Sequence, residues 1–446
     1  MASDLLSIGA SGARAARGAL EVTANNIANA SSDGYVRRSV RIEEVSSGSI
    51  AGRGTDIAAS GSRIADVRRN ADSFRQAEMR RTQADLQRAN VELTGLQNIE
   101  AAVEQSGIFD SVVEFEAALQ QLSGDPTDSA RRAAVLSQAE TLAAKFNITA
   151  GSLESVGNGL HFNAQADVEN LNTYGAELAR VNLRLARSGS GSNDQAALLD
   201  QRDNLLEKMS SLASISTSFA SDGTVAVSVG TAPPTSFVSG GTVGTMSSSI
   251  AADGTMSFAI NGTAISPGAG NLAGTTLALV DLADARSRMD AAAASIADAI
   301  NTAQTNGVAL DGTAGQPIFS GTTAATLSVV MSSGAGIATA PAGSAANERN
   351  QQNLTDMRQA LSAANPADGV NSILFDVSAK VAGRKVTQSA LETIASSARI
   401  ALQEQSGVDL DHEAANLIRY QQAFQASGRA MQVASDIFDT LMGIGR

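Results

Sequence analysis

The chain contains no cysteine and no tryptophan, only two histidines and seven prolines, and aromatic residues make up 3% of it. Without cysteine there is no disulfide, no thiol nucleophile and no thiolate metal site. With so few rings, a core must be built from Ala, Leu, Ile and Val in narrow helical packing or thin sheets, which favours elongated modules over one large globule. Lys and Arg number 32 against 45 Asp and Glu, a formal net charge of −13. No basic stripe stands ready to neutralise phosphates, so the sequence predicts no nucleic-acid partner. Nothing approaches the run of about 20 apolar residues that a membrane span requires, and the first twenty residues lack a basic start followed by an apolar stretch. Composition alone reads as a cytoplasmic chain without membrane insertion.

Catalytic constellations are scarce as well. His161 and His412 sit among polar neighbours, neither has a Gly-x-Ser-x-Gly elbow, and no phosphate loop ends in Gly-Lys. Asp409, Asp411, His412 and Glu413 offer oxygen and nitrogen ligands. They stand at a helix start, however, where acids cap free N–H groups and complement the dipole, and capping is the simpler reading. No catalytic residue, metal site or cofactor is expected.

What is present is helical periodicity at both ends. Leu417, Tyr420, Phe424, Ser427, Met431, Ala434, Phe438 and Leu441 recur at spacings of three and four, one seam of a single helix. Opposite it lie Arg419, Gln422, Gln425, Arg429, Gln432 and Asp436, a wet face. At the amino end Leu5, Ile8, Gly12, Ala15, Ala19, Val22 and Asn26 follow the same spacing, with Ile27 beside them. That seam is thin where the carboxyl seam is bulky, so the two termini are expected to pair, Phe424, Met431 and Phe438 filling what Gly12, Ala15 and Ala19 leave open. Gly9, Gly12 and Gly18 each weaken the first helix by about 1 kcal/mol relative to alanine.

Between the ends, Val36, Val40, Ile42 and Val45 read as short extended segments before Gly48, Gly52 and Gly54. A long helix is expected from Asp66 to Gln105, roughly 60 Å at 1.5 Å per residue. Helices follow over Ser111–Leu122 and Asp128 to about Leu153, with a break at Gly157-Asn158-Gly159 and another helix to Arg187. In Asn193 to Leu212, Asp200, Arg202 and Asp203 read as a solvated ion pair, with a contact to a partner subunit as the alternative. From Ile215 to Val280 Ser, Thr, Gly and Val alternate, and Asp-Gly-Thr at Asp222, Asp253 and Asp311 and Asn-Gly-Thr at Asn261 suit tight turns. Asp281 is expected to cap a helix to Asn306, and helices resume over Asn347–Ala363 and from about Ser372 to Gln405.

The expected fold is mainly α with an inserted β-rich domain. Residues 1–40 and 406–446 form a terminal coiled-coil assembly domain, 41–214 and 347–405 an elongated antiparallel helical bundle, and 215–346 a β-rich outer domain with one embedded helix, 281–306.

Four blocks carry a resemblance. NNIANASSDGYVR, Asn25 to Arg37, resembles the segment that closes the first helix in axial proteins of the bacterial flagellum, with Asn25, Asn29, Gly34 and Tyr35 as the motif turn. SGVDLDHEAANLIRYQQAFQASGRAMQVASDIFDTLM, from Ser406, resembles the closing segment of the hook-associated members of that family. The blocks Asn193 to Leu212 and Leu282 to Phe319 are similar to internal segments of the same members. Ser32-Asp33, Asp409 and His412 depart from the usual pattern but still suit a turn and a helix start. The resemblance implies a structural subunit at the junction of hook and filament, extracellular, exported through the flagellar type III channel without a cleaved signal peptide. It also implies a ring of copies, contacts with the hook protein and the next hook-associated protein, and an export chaperone on the carboxyl-terminal helix. The terminal helices would be largely unpaired in the monomer and fold on assembly. Alternatives are a hook or rod subunit, which shares the first block, or a secreted adhesin or enzyme on a helical stalk.

Overall fold

The computed structural model describes residues 2–32, 34–45, 61–189, 191–231 and 233–444; Gly48, Gly52 and Gly54 lie outside them. The chain is mainly helical with small antiparallel sheets, and its elements group into two compact units. The first comprises residues 1–83, 171–245 and 393–446, the second 84–170 and 246–392.

In the first unit, α1 (Ala2–Ala28) is followed by the antiparallel pair β1 (Arg38–Val45) and β2 (Gly61–Arg69), running from Arg38↔Arg69 to Val45↔Gly61 with a bulge at Arg41/Ile42. The expected helix from Asp66 is therefore a strand as far as Arg69. Its charged sequence lacks apolar alternation, and pairing with β1 decides its conformation. α2 (Ser73–Glu104) starts only after Asp72, whose carboxylate accepts from the N–H groups of Phe74 and Arg75 at 2.9 and 3.1 Å. The end of α4 (Ser129–Leu185), α5 (Asn193–Leu212) and the sheet β3 (Ile215–Phe219), β4 (Val225–Val229), β5 (Thr235–Ser239), β6 (Thr242–Val243) complete this unit's core with Leu178, Leu206, Met209, Val227 and Val238. The final part of α8 (Pro366–Ser406) leads into α9 (Leu410–Ile444).

α4 runs without the expected break at Gly157-Asn158-Gly159. Gly157 is a point of close approach: a Cβ there would lie 3.1 Å from Leu282 Cδ2 and 3.2 Å from Arg286 Nη2. Gly175 repeats the device in the first unit, where a Cβ would lie 2.6 Å from Phe237 Cε1. Packing against neighbours outweighs the roughly 1 kcal/mol helix penalty of each glycine.

The second unit packs α2, α3 (Ile108–Gly124), α4 and α6 (Gly270–Thr305) around Ile99, Leu119, Leu142, Phe146 and Ile296, with α7 (Gln352–Ala364), most of α8 and the sheet β7 (Met246–Ile250), β8 (Met256–Ile260), β9 (Thr263–Ile265). α6 begins at Gly270, not at Asp281. Thr275, Thr276 and Val280 favour a strand, but Leu272, Thr275, Leu279 and Leu282 are buried at helical spacing. Gly274 lets α2 approach so closely that a Cβ would lie 2.8 Å from Val91 Cβ. Tertiary packing overrides propensity here. The wholly buried Arg132 is met by oxygens alone: Pro126 O at 2.6 Å, Ile337 O at 2.7 Å and Thr339 Oγ1 at 2.9 Å.

The expected turns form. Asp222, Asp253 and Asp311 each accept from the N–H and hydroxyl of the threonine two residues on, at 2.6–3.0 Å, with the intervening glycine at positive φ. These bonds hold the three exposed carboxyls below the usual aspartate range. Asn261 and Gly262, φ 50° and 81°, make the tight β8–β9 turn.

Candidate assembly site

α1 and α9 pack along each other. Ala15, Ala19, Val22 and Asn26 are buried, Gly12 and Ile27 half-buried, and Leu5 and Ile8 exposed. On α9 Ala434 is buried, Leu417, Tyr420, Ser427 and Met431 are half-buried, and Phe424 and Phe438 are exposed; the Leu441 side chain lies outside the described residues. Met431 comes against the thin seam, at Gly9, whereas Phe424 and Phe438, expected to fill it beside Met431, lie on the outside of the pair. A Cβ on Gly9 would fall 2.6 Å from Met431 Cγ and one on Gly12 2.9 Å from Ser427 Oγ. The terminal helices are therefore paired within one chain, which corrects the expectation that they are unpaired in the monomer.

The motif turn locks this pair at its inner end. Asn29 closes α1 by donating its amide N–H and its side chain to Asn25 O at 3.0 and 2.9 Å, while Asn25 Nδ2 donates to Glu21 O. Gly34 holds φ 75° beside Asn204. Chain reversal then brings Asn26 against the start of β1: its Oδ1 accepts from Arg38 N at 3.0 Å and Tyr35 Oη at 2.8 Å, and its Nδ2 donates to Arg38 O at 2.8 Å. Burial pushes the Tyr35 phenol up. Asn26 Nδ2 also donates to Glu413 Oε2 at 3.2 Å, and Arg37 Nε donates to Glu413 Oε1 at 2.7 Å, so α9 is clasped by one residue of the last turns of α1 and one of the segment that follows it. Asp409 caps α9, accepting from Asp411 N and His412 N at 2.9 and 3.2 Å, while Glu413 points inward.

A second layer lies beneath. Arg38 Nη2 donates to Asp200 Oδ2 at 3.1 Å, Arg69 Nε to Asp200 Oδ1 at 2.6 Å and Arg69 Nη1 meets Asp203 Oδ2 at 2.7 Å. Arg202 clamps Asp203 Oδ1 at 2.9 and 2.7 Å, and Gln76 Nε2 donates to Asp203 Oδ2 at 2.8 Å. The solvated ion pair expected on α5 is thus a buried network within the chain that joins α5 to the β1–β2 pair. Burial tends to raise the Asp203 carboxyl, but Arg69 and Arg202 outweigh it and hold it below the usual range. Arg37, Arg38, Arg69 and Glu413 carried no sequence signal of this role. The one clue was the pair of acids, Asp200 and Asp203, on a face whose neighbours are buried.

The opposite face of α9 is also not uniformly wet. Val433 and Ile437 are 57% and 44% exposed there, one turn apart, with Ile418 further up the same side. Together with Leu5, Ile8, Phe424 and Phe438 they leave the paired helices with apolar surface on their outer sides.

Such a pair of clasped ends defines a structural chain whose termini come together to present one surface. Comparison with known proteins agrees. Residues 93–319 match the family described as flagellar hook-associated protein FlgK helical domain, residues 6–35 match flagella basal body rod protein, and residues 401–444 match flagellar basal body rod FlgEFG protein C-terminal. Flagellar hook-associated protein 1 of Bacillus subtilis (strain 168) is 25% identical over 97% of this chain and 96% of its own. The proteins of that name from Escherichia coli (strain K12) and Salmonella typhimurium are 26% and 28% identical over 71% and 50% of this chain, and 60% and 40% of theirs. The solved flagellar hook junction protein FlgK of Burkholderia pseudomallei matches at 22% identity over 54% of this chain and 46% of that one, TM-score 0.48. The chain belongs to the FlgK family of flagellar hook-associated proteins, structural components of the bacterial flagellum.

Proposed function

We propose that this chain is the subunit that joins hook to filament, and that its copies assemble through the outer sides of the paired α1 and α9. The observation that carries this reading is the pairing itself. Two terminal helices, each alike to rod-protein termini, are locked together by Asn26, Arg37 and Glu413 while Leu5, Ile8, Phe424, Val433 and Ile437 stay uncovered. Copies arranged in a ring bury that surface, with the hook protein on one side and the next hook-associated protein on the other. Before assembly an export chaperone covers the α9 seam, and the chain leaves the cell through the flagellar type III channel.

Val433→Asp with Ile437→Asp tests this without touching the α1–α9 seam. The variant is expected to keep the thermal stability of the parent, to be exported, and to be missing from hook tips, leaving cells without filaments. Filamented, motile cells carrying the double variant would overturn the reading.

A further inference from the structure

Arg80 of α2 is 6% exposed, and its guanidinium donates to no acceptor among the described residues. Burial pushes the guanidinium down, against the pull of Asp203 and Glu207. The contrast with the other buried arginine is direct: Arg132 is met by Pro126 O, Ile337 O and Thr339 Oγ1. A guanidinium carries five N–H donors, and burying it unbonded is costly unless an anion from outside the chain completes it.

Arg80 lines a groove of about 1110 Å³ that lies wholly within the first unit. The other lining comes from the motif turn, Ala30 to Val36, from α5 between Asp203 and Ser211, and from the corner where α8 gives way to α9, Arg399 to Asp409. Val36 and Met79 are buried in that lining and Leu402 and Val408 half-buried, so the groove offers apolar surface as well as the guanidinium. Pockets for whole small molecules measure about 300–1,000 Å³, so a lone inorganic anion would fill little of this one, whereas several residues of chain fit.

The acids of the groove do not complete Arg80. Asp203 already accepts on both oxygens, from Arg202 on one and from Arg69 and Gln76 on the other. Asp409 accepts from the N–H groups that open α9. Half-buried Glu207 and exposed Glu404 are matched in charge by exposed Lys208 and Arg399. In the network next to them Arg38, Arg69 and Arg202 have only Asp200 and Asp203 as acidic partners among the described residues. A chain of net charge −13 therefore holds a local excess of positive charge at this groove, which selects an acidic occupant.

We propose that the groove binds an acidic segment of a neighbouring protein subunit, whose Asp or Glu carboxylate pairs with Arg80 while an apolar side chain beside it rests on Met79 and Leu402. The pair is a carboxylate on a planar guanidinium, with two parallel N–H···O bonds in a site largely closed to water. Leu5, Ile8, Val433 and Ile437 take no part in this groove, so it adds a contact to the outer sides of α1 and α9 and does not depend on them. Only the source of the segment rests on reading the chain as an assembling subunit.

Met79 lines the groove beside Arg80 and is one of ten methionines, which gives the site its own reporter. Full-length chain labelled with carbon-13 at the methionine methyls, its Met79 signal assigned with Met79→Leu, is titrated with acetyl-Leu-Glu-Leu-amide, with the Gln counterpart and with acetate at one ionic strength. The Glu peptide is expected to shift the Met79 signal saturably and the Gln peptide to bind about tenfold more weakly. Acetate should leave the signal in place. Arg80→Met, with parental circular dichroism and a urea midpoint no lower than the parent's because a lone buried charge is gone, should lose the response, and Arg80→Lys should keep part of it. An unmoved Met79 signal, an equal response to both peptides, or a response that survives Arg80→Met overturns the proposal. A response to acetate equal to that of the Glu peptide overturns it too, in favour of a free-anion site. The assay needs no flagellum, so its failure leaves the hook–filament reading standing.

Discussion

Glu413 on α9 takes Arg37 at 2.7 Å and Asn26 at 3.2 Å, the latter from 387 positions away in sequence, and its side chain is almost wholly buried. One carboxylate therefore joins the two ends of the chain. Removing one partner of a buried pair leaves the other uncompensated, which typically costs about 3–5 kcal/mol. Glu413→Ala is expected to lower the stability of the first unit by that amount. Glu413→Gln, which still accepts from Asn26 while Arg37 reaches water, should cost about half as much. Urea denaturation followed by helical circular dichroism measures both.

Gly9 and Met431 make a second, steric link. Gly9→Ala gains about 1 kcal/mol of helix propensity but drives its Cβ to 2.6 Å from Met431 Cγ. The variant is expected to be no more stable than the parent. In a Met431→Ala background the same substitution should stabilise by up to about 1 kcal/mol, and the double-mutant cycle isolates the difference.

Acid should loosen the first unit. The Asp203 carboxyl is held below its ordinary value by Arg69 and Arg202, so the folded state binds its proton less readily than the unfolded one. The stability it contributes is complete above the unfolded value of about 4 and is lost as pH falls through the lower folded value. Asp203→Asn should therefore cost about 3–5 kcal/mol at pH 7, and the gap between variant and parent should narrow below pH 4. Urea midpoints at pH 7 and pH 3 give the comparison.

In the second unit the buried Arg132 gathers Pro126 O, Ile337 O and Thr339 Oγ1. Arg132→Met keeps the volume and strands those oxygens, with an expected loss of at least about 3 kcal/mol. Hydrogen exchange should show faster opening around residues 334–341 than elsewhere in that unit.

The parts of this architecture that were legible in the sequence are those written as period. Ala15, Ala19, Val22, Ser427 and Met431 announce two helices of complementary thickness, and Asp-Gly-Thr announces each turn through the bond from threonine to aspartate. What stayed hidden depends on neighbours distant in sequence. Gly157 reads as a break until Leu282 and Arg286 are seen against it, and Thr275 reads as a strand until α2 lies across Gly274. Arg69 sits in an ordinary charged segment, and only the pairing Arg38↔Arg69 carries it to Asp200 and Asp203. A buried ion network has no periodicity, so the sequence showed its acids and not its purpose.

A cryo-electron microscopy map of hooks isolated from cells that express this chain shows whether its copies meet through α1 and α9. Density for it is expected at the hook tip, with α1 and α9 still paired and Val433 and Ile437 covered by neighbouring copies. A map in which the chain sits there with those two residues facing open solvent, or in which it is absent from the hook, would contradict that expectation.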